Sequence, residues 1–246
     1  MNFDLLVNTI QEIPPVRKML ELGREPGPQA SRRLRAALDK LTSPLTFPLL
    51  SWILSSNRAH LEAIPAGDSM AGLGPHQFLL VSATPAKEGR FKRARQEAAQ
   101  RRGASPTGSF FVWHGSSAGN WHCILRQGLR SGTHYMSAGA AYGKGIYTAR
   151  GSDMSLGYSG QPSTPWRHAE LLGTAGLRLL SLCEVVDAQR NNSDTVGKPT
   201  LREPNPDMVT IQNEDLIVTR FLFALSGGHP SNIQANQVAI PPNLLL

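Results

Sequence analysis

From Ala104 onward the chain falls into short aromatic and β-branched runs punctuated by glycine, serine and proline, which commits this half to strands. The runs are Phe110-Phe111-Val112-Trp113, Gly145-Ile146-Tyr147-Thr148, Leu177 to Val186 and Leu216 to Leu225, each of strand length and bounded by turn residues. One helix is signalled among them, Asn120 to Gly128. Asn120 stands where an N-cap belongs and Gly128 where a helix stops. The N-terminal part has another period. Leu5, Leu6, Ile10 and Ile13 recur at three and four, Pro14-Pro15 interrupts, and Val16, Met19, Leu20 and Leu22 resume. The run Leu49 to Leu54 recurs with His60, Leu61 and Ile64 at helical spacing. These patterns predict a helical subdomain over 1–74, with Gly67 to Gly74 as a linker. A short strand, Gln77 to Ser82, then opens a second domain over 75–246.

A chain of 246 residues with 40% hydrophobic and 17% charged residues can bury a sizeable core, which excludes wholesale disorder. Cys123 and Cys183 make neither a disulfide framework nor a zinc site, each in an apolar context, and point to a reducing compartment. The N-terminus carries Asp4 instead of a basic segment, and no run approaches the roughly 18 apolar residues of a membrane span. A soluble, intracellular protein of cytoplasm or nucleus is expected. The net charge of +7 invites an anionic partner. Much of it lies between Lys87 and Arg102, where seven cations face Glu88 and Glu97 on one predicted helix. This is a solvated face or a nucleic-acid contact, and only Phe91 is available there for base stacking.

His114-Gly115-Ser116 follows the aromatic strand directly, so an apolar run ends in a turn that exposes backbone N–H and C=O groups. Thirty residues on, Tyr142-Gly143-Lys144-Gly145-Ile146-Tyr147 brings a second glycine-flanked strand, followed by Ser155 and Tyr158. Three apart on a helix, these two share a face, where a hydroxyl donor and an aromatic plate can meet one flat polar ring. His122 and His134 read as surface and loop residues, not metal ligands.

Together these segments resemble the donor site of the poly(ADP-ribose) polymerase family. The resemblance is sharpest over 110–160, runs more loosely to about 225, and is closest to the mono-ADP-ribosylating branch. It implies an α+β fold of two small packed β-sheets with a donor cleft, preceded by helices. It also implies NAD+ as co-substrate with no metal, and transfer of one ADP-ribose after cleavage of the nicotinamide–ribose bond. On this resemblance Tyr158 stacks on nicotinamide, Tyr147 closes the pocket, Gly115 and Ser155 meet the carboxamide, and His114 binds a ribose hydroxyl. Ser116 and Asn120 fall on the adenosine side, and Gly128 and Arg130 begin the loop over adenine and pyrophosphate.

Chain-extending members add a glutamate on a late strand. Here two registers compete: one puts Glu214 there, while the other keeps the apolar run Arg220 to Leu225 intact and puts Phe221 there. The second is preferred, and it predicts single transfer without elongation. The acceptor is expected to be a protein side chain, the chain itself included. Rival readings are a nucleic-acid end docked by the 87–102 helix, and an inactive binding module. The apolar end Ile240 to Leu246 reads as a docked tail or the approach to an additional C-terminal domain; some fungal proteins with a similar transferase domain also carry a ubiquitin-conjugating domain.

Overall fold

The computed structural model describes residues 3–24, 27–56, 59–80, 85–101, 103, 105–131, 142–160, 166–169, 176–188, 201–226 and 232–245. They form two compact units, 1–58 with 164–176, and 59–163 with 177–246.

The first unit holds α1 (Phe3–Glu12), α2 (Val16–Leu22), α3 (Pro28–Leu41) and α4 (Thr46–Ser56). Pro14-Pro15 separates α1 from α2 because proline offers no N–H and disfavours helix in the residue before it. Ile13, Leu38 and Leu50 make its core, with Met19, Leu34, Phe47, Ile53 and Trp166 against them. No helix among the described residues is long and apolar enough to cross a membrane.

The second unit contains β1 (Leu61–Ala63), β2 (His76–Leu80), α5 (Pro85–Ala99), β3 (Ser109–Gly115), α6 (Trp121–Gln127), β4 (Ile146–Ala149) and α7 (Ser152–Gly157). β5 (Leu177–Val186), β6 (Leu201–Asn205), β7 (Met208–Ile211) and β8 (Ile217–Ser226) follow. Two expectations change at its start. Residues 61–63 are a strand paired with β2, not a continuation of α4. The 67–74 segment is packed, with Met70 and Leu73 buried, because the Gln77 side chain accepts from Met70 N and donates to the Met70 and Gly74 carbonyls at 2.8 Å each. Residues 59–74 pack within the second compact unit.

The expected pair of sheets is one hydrogen-bonded antiparallel sheet of order β1-β2-β8-β5-β3-β4-β7-β6. It consists of a five-strand block and a three-strand block joined at β3–β4 through a single register pair, Trp113↔Ala149. Strand alternation sorts the core to two faces. Val112, Ile146, Cys183, Val185 and Ile211 pack with Phe91 and Ala98 of α5 on one. Trp113, Leu180, Leu182, Phe221 and Phe223 pack with Leu156 of α7 on the other. Between Leu182 and Cys183 the β5–β8 register shifts, so Leu182 faces Phe221 while Cys183 faces Thr219. Arg220 is the extra residue of this bulge, and a bulge re-aims the side chain it carries.

Candidate functional site

The seam between the two blocks is where the predicted residues collect. β3 ends at His114-Gly115, and His114 Nδ1 lies 2.9 Å from the Tyr147 carbonyl oxygen on β4. A carbonyl only accepts, so Nδ1 carries the proton and Nε2 of a neutral ring is left as an acceptor. Burial pushes the His114 pKa below the usual imidazole value, with the bond to Tyr147 opposing. The ring is edge-on to Trp121, 6.3 Å between centroids.

Gly115 is required by close approach. A Cβ there would lie 1.7 Å from the Ser155 carbonyl oxygen, so α7 rests its backbone directly on the strand end. Ser155 donates its hydroxyl to the Trp113 carbonyl at 2.9 Å and is 3% exposed. The donor expected to face a ligand is thus committed inside the protein, and Ser155 offers outward only lone pairs. Tyr158 follows α7 and is 55% exposed, its ring open to solvent. The Tyr147 hydroxyl donates to the Gly143 carbonyl at 2.8 Å and accepts from Tyr142 N at 2.9 Å.

Asn120 does not cap α6. A 3-10 turn, Ala118–Asn120, already precedes the helix, and the Asn120 amide instead donates to Ser116 Oγ at 2.9 Å. Trp121 Nε1 holds the Ser116 carbonyl at the same distance. Ser116 and Asn120 therefore form one unit beside His114. Gly128 ends α6 with φ +79°, and Arg130 follows, its Nη1 donating to Gln127 Oε1 at 3.2 Å. His134 lies outside the described residues. Cys123 is exposed and Cys183 buried, which corrects the apolar setting expected for Cys123.

Neither competitor for the third position stands beside Tyr147. Phe221 is 1% exposed in the core, paired with Leu79 and Leu182 and separated from β4 by β5 and β3. An unbroken apolar run gave its length but not its neighbours. Glu214 sits in the 3-10 turn Glu214–Leu216 after β7, accepting from Ser131 N at 2.9 Å. The strand that does border β4 is β7, which pairs Thr210 with Tyr147 and Met208 with Ala149. The sequence reading passed over both residues; the signal was the short apolar run Met208-Val209-Thr210-Ile211, a strand in its own right.

The basic helix is α5, and part of its charge turns inward. Arg95 pairs with Glu184 at 2.9 Å and Arg90 with Asp215 at 2.9 Å, while Lys87 is buried. Lys92 and Arg93 remain exposed. Glu184 also accepts from Ser109 Oγ at 2.6 Å and Arg220 Nε at 2.8 Å, and Arg220 reaches Glu88 at 2.9 Å. The sequence signal for this network was a charge inside each of two apolar runs, Glu184 in one and Arg220 in the other.

The family of poly(ADP-ribose) polymerase catalytic domains matches residues 83–222. The chain is 30% identical, over 96% of its own length, to protein mono-ADP-ribosyltransferase PARP8 of Mus musculus and of Homo sapiens. It spans 27% of the length of those two relatives. Protein mono-ADP-ribosyltransferase PARP16 of Mus musculus is 24% identical over 93% of this chain and 69% of its own length.

Proposed function

Because the chain belongs to the family of poly(ADP-ribose) polymerase catalytic domains, we propose that it is an NAD+-dependent mono-ADP-ribosyltransferase acting on protein side chains, its own included. The catalytic unit of this reading is the sheet-bearing one. The observation that carries it is the seam: a neutral His114 bonded to the Tyr147 carbonyl, with Thr210 of β7 instead of a carboxylate opposite Tyr147.

In this reading Nε2 of His114 accepts a hydrogen bond from a ribose hydroxyl of NAD+. The exposed Tyr158 ring stacks on nicotinamide, and Tyr147, braced through Gly143 and Tyr142, closes the opposite side. Gly115 meets the carboxamide with its backbone groups, and Ser155 with its lone pairs. Ser116 and Asn120 serve the adenosine side, and Gly128 and Arg130 the adenine and pyrophosphate. The bond from the anomeric carbon to the nicotinamide nitrogen breaks, its electron pair leaving with nicotinamide. An acceptor lone pair forms the new bond, and the acceptor's proton passes to solvent. Positioning and electrostatics are what the site supplies. With Thr210 opposite Tyr147 and no carboxylate in β7, the described neighbour strand of Tyr147 offers no group to activate a second ribose hydroxyl, and in this reading transfer stops at one unit.

The test mixes the protein with adenylate-labelled NAD+ and either a protein or a nucleic-acid acceptor. Nicotinamide release with a single-unit label on protein is expected. Long chains on protein would overturn single transfer; label on nucleic-acid ends would assign the acceptor to the face of Lys92 and Arg93. NAD+ binding with neither release nor label would make the chain a binding module.

A further inference from the structure

Resting on that reading, we infer that Glu214 is a positioning residue for the donor substrate, which fixes Arg130 and Ser131 from outside the reacting centre. Its Oε1 accepts from Ser131 N at 2.9 Å and from Ser131 Oγ at 3.4 Å, and its Oε2 lies 3.6 Å from Arg130 Nε. One carboxylate thus grips two successive residues just past α6. The Arg130 side chain is 56% exposed, so without this grip it would sample many rotamers, and ordering it on an anionic substrate would cost conformational entropy. Held at Nε by Glu214 and at Nη1 by Gln127, the guanidinium keeps one fixed direction for its remaining N–H donors.

The grip is itself anchored. The turn bearing Glu214 is seated on α5 through Arg90–Asp215. From the same helix the buried Lys87 ammonium lies against Gly128, where a Cβ would sit 2.5 Å from Nζ. Burial lowers the Lys87 pKa, and the charges of Glu214 and then Asp215 oppose that, which ties the lysine electrostatically to the same turn. Gly128, Arg130 and Ser131 are therefore referenced to one helix packed on the sheet. Glu214 touches none of His114, Tyr147 and Ser155 among the contacts of the described residues, so its effect falls on binding and not on bond cleavage.

Steady-state nicotinamide release separates the two roles. Glu214→Ala is expected to raise KM for NAD+ about tenfold with kcat within about twofold, the size of one lost charge-assisted contact. Glu214→Gln keeps an acceptor for Ser131 N but not the charge beside Arg130, and is expected to recover only part of that loss. A collapse of kcat in both variants at unchanged KM would move Glu214 into the reacting centre and overturn the inference, as would two variants identical to the parent. Calorimetric NAD+ affinity supplies the same comparison if the parent binds without turnover. A parent that neither binds nor turns over NAD+ instead refutes the transferase reading on which this rests.

Discussion

The two ends of β3 solve the same packing problem and treat charge in opposite ways. At each end a glycine lets a helix backbone rest on the strand: a Cβ on Gly108 would lie 2.1 Å from the Arg95 carbonyl of α5, and one on Gly115 1.7 Å from the Ser155 carbonyl of α7. At the Ser109 end the polar groups are ions. Glu184 and Arg220 are 5% and 4% exposed, bonded to each other, to Ser109, to Arg95 and to Glu88, and Arg220 lies over the Phe91 ring. At the Gly115 end they are uncharged: a neutral imidazole, hydroxyls and carbonyls. Fixed charges hold the frame at one end, while the described contacts at the other, where the proposed donor site lies, are made by groups that need no counter-ion.

The largest expected effect breaks the charged end. Glu184→Ala takes the buried carboxylate from Arg220 Nε, Arg95 and Ser109 at once, leaving Arg220 only Glu88 among the described carboxylates, and should cost about 3 kcal/mol in urea unfolding. Next comes Gly115→Ala, in which the new methyl collides with the α7 backbone. We expect about 1–3 kcal/mol of lost stability and, in the protein that remains folded, a far greater loss of NAD+ turnover than Gly108→Ala produces. Equal turnover losses would erase the functional distinction between the ends.

Acidification should separate them without mutation. Both shifts are downward, so in each case the unfolded chain takes up protons first and stability falls as pH falls across the window. For His114 that window opens at the ordinary 6.5 and closes at its lower folded value. NAD+ binding, which in the proposed reading takes the neutral ring as acceptor, should be lost at the lower edge. For Glu184, burial raises the pKa, but Arg220, Ser109 and Arg95 outweigh it, so the window opens only at 4.5. Trp121 fluorescence, reporting on its neighbour His114, should respond before global unfolding measured by circular dichroism. The smallest effect is expected on the outer face of α5, where Lys92→Ala and Arg93→Ala should each stay within about 0.5 kcal/mol. A steep salt dependence of nucleic-acid binding that vanishes in these variants would give that face a function.

What could be read from the sequence was local. The strands of β3, β4, β5 and β8 were visible because each is an apolar run closed by turn residues. His114 and Tyr147 were legible as candidate site residues through the family resemblance, while the bond between them was not. What could not be read was non-local pairing: β8 slots between β2 and β5, which takes Phe221 away from Tyr147, and β7 puts Thr210 opposite Tyr147. The 67–74 segment has a linker's composition, and only Gln77, arriving from the next strand, makes it part of the core. Ser155 was legible as a residue of the site but not as a donor already spent on Trp113, since nothing in a spacing of three reveals where a hydroxyl proton goes.

A sheet stitched at its middle by one register pair, Trp113↔Ala149, lets its two blocks respond separately to substitution. Substitutions, bulges or length changes in the β6–β7 hairpin, whose register already shifts between Arg202 and Asn205, alter what stands beside Tyr147 while leaving the long β5–β3 ladder and His114 in place. The two blocks thus divide the candidate site between them: the long ladder carries His114 and the short one Tyr147.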